Sequence, residues 1–300
     1  MQETDLRQEK KYCSRLGWAL VLTLVCALVW QFALSLAALL TVRFPALWLG
    51  MDVFYLLSLV GYYIVALPLA YRLCRSVPAP PLADRGLQPR LIGRWFVIGA
   101  GLMWLGSLAG AWLNDLVYRI AGLAPVDAVS EAIGMLPLPV ILLGACILGP
   151  VCEELLFRGL VAGRLARYGQ KPAALVSALL FALYHANLSQ FCYALALGLL
   201  LAYAYFYTGT LRAPIVLHML FNCYGSFVVF LLPESGPLPV LYVLSWPVLT
   251  IAGVVLLVRG WKRQVWAHGP CAPSTGVIFG NAGITAAVIV CFVQAALLFI

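Results

Sequence analysis

Charge is scarce in this chain. Its 300 residues hold nineteen Lys and Arg and eleven Asp and Glu, 10% of the total, against about 25% in an average soluble protein. A soluble globule of this length could not clothe its surface with so few ionised groups, and 64% apolar content excludes a disordered chain as well. Paired cysteines are also lacking: the nine include no Cys-x-x-Cys, so neither a zinc knuckle nor a dithiol redox site is indicated, and they are expected to serve as small packing residues. Histidine is rarer still, with three in the whole chain.

What is there is long apolar sequence. A membrane-spanning helix needs about 20 mainly apolar residues. That rule predicts an all-α, polytopic transmembrane bundle of about eight to nine spanning helices, at 16–41, 52–73, 92–113, 137–158, 172–187, 190–208, 213–231, 238–258 and 278–299. The fifth is short, and Asn187, Ser189 and Gln190 divide it from the sixth, which suggests a tight hairpin that stops short of the far surface. The net charge of +8 does not indicate nucleic acid. The basic residues flank the apolar runs, as positive-inside bias requires. With a cytoplasmic N-terminus, sixteen of the nineteen fall on the cytoplasmic side, Arg43 and Arg119 fall opposite, and Arg158 lies within a helix. The expected location is a bacterial cytoplasmic membrane if the host is a bacterium, otherwise an endomembrane such as the ER. Residues 74–91 are expected to be an extended Pro-rich linker, and Val126–Ile133 an interfacial helix. A Gly106-xxx-Gly110 spacing in the third helix would permit close packing.

The polar groups stranded in apolar runs are the informative ones, because each is costly in the bilayer and usually marks function. The fourth helix ends Gly149-Pro150-Val151-Cys152-Glu153-Glu154-Leu155-Leu156-Phe157-Arg158-Gly159. Glu154 and Arg158 stand at i,i+4 and share a face, so they can pair. Glu153 lies about 100° round the helix with no partner at that spacing, which makes it the better general base. His185 closes Phe181-xxx-His185, and His218 shares a face with Asn222 at i+4. Any one of these could be a hydrogen-bonding bridge between helices. Together, Glu, two His and Asn are an inventory for activating water and stabilising an oxyanion.

Glu153-Glu154-xxx-Arg158, Phe181-xxx-His185 and His218-xxx-Asn222 resemble, in order, the motifs of the CPBP family of intramembrane endopeptidases, which includes the CAAX prenyl proteases and the bacteriocin-processing or Abi proteins. The resemblance covers about residues 137–231. It implies one integral-membrane domain over 1–300, with a catalytic core at 137–231 and accessory helices in 1–136 and 232–300. It further implies that Glu153 with His185 activates the attacking water, that His218 and Asn222 hold the oxyanion, and that Glu154, Arg158 and Phe181 support the site. The expected mechanism needs no metal. The alternative is a divalent ion such as zinc on Glu153, His185 and His218, although no His-Glu-x-x-His pairing is present.

The expected function is therefore hydrolysis of a peptide bond in a membrane-associated peptide or protein by Glu-activated water, with the lipid bilayer as the other partner. The alternatives are a non-catalytic immunity or scaffold protein that keeps the polar cluster for packing, and a transporter using the glutamates as a proton relay. One feature of the spacing conflicts with a common site. If Arg158 marks the membrane boundary, Glu153 lies shallow, whereas His185 is fourteen residues beyond Lys171. Convergence then requires the fifth helix to begin below the surface or to tilt strongly.

Overall fold

The computed structural model describes residues 3–44, 50–122, 134–261, 266–271 and 275–297, and every regular element among them is helical. Among the described residues, seven helices are long and apolar enough to cross a membrane: α1 (Asp5–Leu40), α2 (Asp52–Leu73), α3 (Pro89–Ala121), α4 (Leu138–Tyr168), α6 (Leu188–Thr208), α7 (Arg212–Leu231) and α8 (Pro237–Gly260). Two shorter apolar helices, α5 (Gln170–Tyr184) and α9 (Ala282–Ala296), complete the bundle. The protein is a multi-pass integral membrane protein. The expected interfacial helix at Val126–Ile133 lies outside the described residues.

Three boundaries differ from those expected, each for a local reason. α3 continues past Trp112 to Ala121 because Asp115 and Arg119 pair at i,i+4, 2.6 Å apart, and Gly122 caps the end in the left-handed region. α4 does not stop at Arg158; it runs on to Tyr168, with Arg158 fully buried in its middle. The last helix begins later than residue 278, because the Asn281 side chain accepts from the Ile284 N–H and so caps a new start after Gly280.

Four stretches of these helices have π-helical winding: Gly61–Ala66, Leu142–Leu148, Leu155–Ala162 and Cys223–Phe227. Such windings shift the register of the side chains after them and concentrate at functional sites.

α6 lies at the centre. One of its faces, with Ala194, Ala202 and Phe206, packs into a core built with α1, α2, α4 and α5. Another, with Leu197, Leu201 and Ala204, packs with α3 and α7. The outward surface is apolar rather than charged: on α8 alone Leu238, Leu241, Val243, Val248, Ile251 and Val258 are exposed. A contiguous apolar belt of this kind suits lipid and not water. The Pro-rich stretch after Cys74 is extended as expected, and the Arg85 N–H donates to the Thr208 carbonyl, which fastens the linker under the α6–α7 turn.

Candidate active site

The continuation of α4 removes the depth conflict. α4 and α5 form an antiparallel hairpin about Gly169, whose φ of +108° suits a residue without a side chain. Glu153 lies sixteen residues before that glycine and His185 sixteen after it, so equal arms, each about 24 Å at helical rise, bring them to one level. The turn is held from outside: Gln170 N–H donates to the Ala267 carbonyl, and Cys271 N–H donates to that of Arg167.

At that level a chain of charged contacts crosses three helices. Arg158 Nη1 donates to Glu154 Oε1 at 2.8 Å, and both side chains are fully buried. Arg158 Nη2 donates to the Gly198 carbonyl on α6 at 3.0 Å, and its guanidinium lies over the Phe181 ring, 4.5 Å from the centroid. The same Glu154 oxygen is 2.8 Å from His218 Nδ1 on α7. His218 Nε2 in turn faces Glu153 Oε2 at 3.7 Å. Phe181 meets both histidine rings edge-on, at 4.6 Å for His185 and 5.7 Å for His218. The two adjacent glutamates thus have different surroundings: the Glu153 side chain is 29% exposed and that of Glu154 is wholly enclosed.

His185 caps the C-terminus of α5, and its Nδ1 is 2.8 Å from the Phe181 carbonyl. An Nδ1–H donating there leaves the Nε2 lone pair free for chemistry. The next residue, Ala186, has φ +48°, a backbone strain tolerated where a functional turn demands it. Asn222 reaches the same region but is engaged, its Nδ2 donating to the Ala145 carbonyl at 2.8 Å. The cause lies in α4. The π-helical turn pairs the Gly144 carbonyl with Gly149 N–H, so the donor due to Ala145 is residue 150, a proline without one. Asn222 supplies the missing hydrogen bond.

Glu153, His185, His218 and Asn222 all line a cavity of about 930 Å³. All four π-helical stretches border it or the charged chain beside it, with Tyr63, Gly144, Ala145, Gly225 and Ser226 on the cavity wall. Tyr55 and Tyr63 of α2 and Asn114 of α3 were not among the residues singled out from sequence. A tyrosine in an apolar run carries no signal of its own, and Asn114 gave none while α3 was taken to end at 113. Among the described residues no group of three or more His, Cys, Asp or Glu is placed to hold a metal ion. Nδ1 of His185 is within hydrogen-bond distance of the Phe181 carbonyl, and Nδ1 of His218 is within that distance of Glu154 Oε1.

The multi-pass helical bundle thus gathers one glutamate, two histidines and an asparagine on a single cavity, with a second glutamate enclosed behind it. Residues 135–224 match the family model described as type II CAAX prenyl endopeptidase Rce1-like. A candidate membrane peptidase of Bacillus subtilis (strain 168), YdiL, is 26% identical over 182 residues, 56% of this chain and 68% of that protein. The membrane-embedded CAAX protease MroQ of Staphylococcus aureus (strain USA300) is 27% identical over 232 residues, 73% of this chain and 92% of that one. Both matches are longer than the stretch from Glu153 to Asn222 that holds the three motifs. No solved structure matches the chain.

Proposed function

We propose that the protein is an intramembrane endopeptidase, CAAX-protease-like, that hydrolyses a peptide bond of a membrane-associated peptide or protein without a metal, with its catalytic core in 137–231. The observation that carries this reading is the division between the two glutamates: Glu153 opens onto the cavity beside His218 and His185, while Glu154 is sealed against Arg158. In this mechanism Glu153, with His185 Nε2 orienting the water, takes a proton as the oxygen adds to the carbonyl carbon. His218, carrying a proton on each ring nitrogen in this mechanism, donates Nδ1–H to Glu154 and Nε2–H to the oxyanion, with Asn222 beside it. Collapse breaks the C–N bond, and Glu153 returns its proton to the leaving amine. Glu154, Arg158 and Phe181 keep His218 in place and touch no substrate.

The test is one set of variants. Glu153→Gln, His185→Ala and His218→Ala should each abolish cleavage of a co-expressed substrate while protein levels hold. Substrates are sought by mass spectrometry of what accumulates uncut in cells carrying Glu153→Gln, with lipidated C-termini, leader peptides and sorting tails as the classes to examine. Full biological activity in all three variants would replace this reading with that of a non-catalytic immunity or scaffold protein.

A further inference from the structure

A second cavity, of about 190 Å³, lies between α3, α6 and α8 and shares no lining residue with the one that holds Glu153. α3 begins at Pro89, α6 ends at Thr208 and α8 ends at Gly260. Arg94, Tyr207 and Gly260, which all line the cavity, stand within about two helical turns of those ends. The cavity is therefore at the membrane surface, on the side that the basic flanks assign to the cytoplasm.

Its deep end is apolar, with Ile98 and Leu200 furthest from the surface. Nearer the surface stand Tyr203 and Tyr207, whose ring centroids are 5.9 Å apart, and Trp95 meets both edge-on. Arg94 Nη2 donates to the Leu256 carbonyl at 3.2 Å. Gly260 leaves space for that group, since a Cβ there would collide with Nη2. Arg85, in the linker before α3, lies over the Tyr207 ring, 5.4 Å from its centroid. Both arginines are close enough for their charge to act on the Tyr203 hydroxyl. No Asp or Glu lines the cavity, and Asp84, next to Arg85, accepts from the Gly86 N–H at 2.7 Å. Among the described residues the Tyr203 and Tyr207 hydroxyls have no hydrogen-bond partner. Neither they nor the remaining N–H groups of Arg94 are enclosed, so all can reach a ligand.

Two guanidinium groups, two open hydroxyls and no carboxylate suit a phosphate, which accepts several charge-assisted hydrogen bonds at once. A lipid phosphate suits the position better than a soluble one. The site is at the membrane surface with apolar walls beneath it, and the same last turns of α8 expose Val254, Val255 and Val258. We propose that this cavity holds the phosphate end of an anionic phospholipid of the cytoplasmic leaflet. Arg94 and Arg85 are its counter-charges, the two tyrosine hydroxyls are donors, and the acyl chains lie along the outer face of α8. The bound lipid ties the linker that carries Arg85 to α3, α6 and α8. Neither Glu153 nor its cavity takes part.

The test is native mass spectrometry of the full chain, delipidated in detergent and titrated with phosphatidylglycerol or phosphatidylcholine. The first phosphatidylglycerol should bind about tenfold more tightly than phosphatidylcholine, because two surface charges favour the anionic lipid. Arg94→Gln should weaken phosphatidylglycerol about tenfold, the loss expected for a hydrogen bond to a charged group, and Arg85→Gln about fivefold, the worth of one surface charge. Arg72→Gln makes the same change of charge at an exposed position on α2 and should leave the first lipid in place. Equal binding of the two lipids, or equal losses in Arg72→Gln and Arg94→Gln, would overturn the proposal. Inorganic phosphate at the same concentration should not compete with the first phosphatidylglycerol. Displacement by it would make the cavity a site for a soluble anion and overturn the lipid assignment. If Arg94→Gln does not fold, Tyr203→Phe and Tyr207→Phe together decide. They remove only the hydroxyls, so weaker phosphatidylglycerol binding would sustain the site and unchanged binding would end it.

Discussion

Pro150 and Asn222 form a pair whose consequences can be separated by experiment. Asn222→Ala removes the Nδ2 donor to the Ala145 carbonyl, and Pro150 has no N–H to replace it. Ala145 is half-buried on the cavity wall, so the loss should not exceed the roughly 1–3 kcal/mol of a fully buried unpaired group, read in a denaturant titration of the detergent-solubilised protein. Pro150→Ala restores an N–H in the register that the π-helical turn sets for Ala145. The change also alters chain stiffness, but that contribution is common to both backgrounds and cancels in a double-mutant cycle. The coupling should therefore be about 1 kcal/mol, with Pro150→Ala more favourable when Asn222 is already alanine. Cleavage provides the second readout. If Asn222 also serves the oxyanion, the double variant regains stability yet remains about 10²–10³-fold slow, the usual loss for one such donor. Equal effects of Pro150→Ala in both backgrounds would refute the account of the missing helical hydrogen bond, and full recovery of cleavage would make Asn222 a brace alone.

Other expectations follow from the same contacts. Arg158→Met should cost about 3–5 kcal/mol by leaving Glu154 buried and unpaired, and adding Glu154→Gln should recover much of that loss, as read by chemical denaturation. Arg158→Lys should remain impaired, because one ammonium does not reproduce the guanidinium fork between Glu154 and the Gly198 carbonyl under the Phe181 ring. Cys74, just past the end of α2, has its thiol pushed up to about 11 by burial. It is therefore protonated at neutral pH and closed to reagent, so its maleimide labelling in the folded protein should be slow at pH 7 and faster once denaturant exposes it.

The legible and illegible parts of this chain divide along one line. Glu153, Glu154 and Arg158 could be found because charge in an apolar run is conspicuous, and the i,i+4 rule paired the correct two. The same conspicuousness misled at the boundary. Arg158 reads as a marker of the membrane surface, although a buried carboxylate, a carbonyl and an aromatic face hold it in mid-helix. The surface end of α4 lies ten residues later, at Tyr168. The lower contrast of Asn114 hid it, since Asp115 next to it already read as the edge of a span. Nor does any residue pattern announce π-helical winding, so the Asn222–Ala145 bond was beyond sequence reasoning even with Pro150 in plain view.

The equal arms about Gly169 amount to a ruler. Adding or removing one residue in either arm would slide its side chain along the helix by about 1.5 Å and turn it by about 100°, taking Glu153 or His185 out of the cavity. The register of the two arms is therefore fixed jointly, and neither arm can change length unless the other changes with it. Length variation among descendants of this chain should collect elsewhere, in the exposed Pro-rich linker before α3 for instance, while the count from Glu153 through Gly169 to His185 holds. Where that count does change, it should change by whole helical turns on both sides at once.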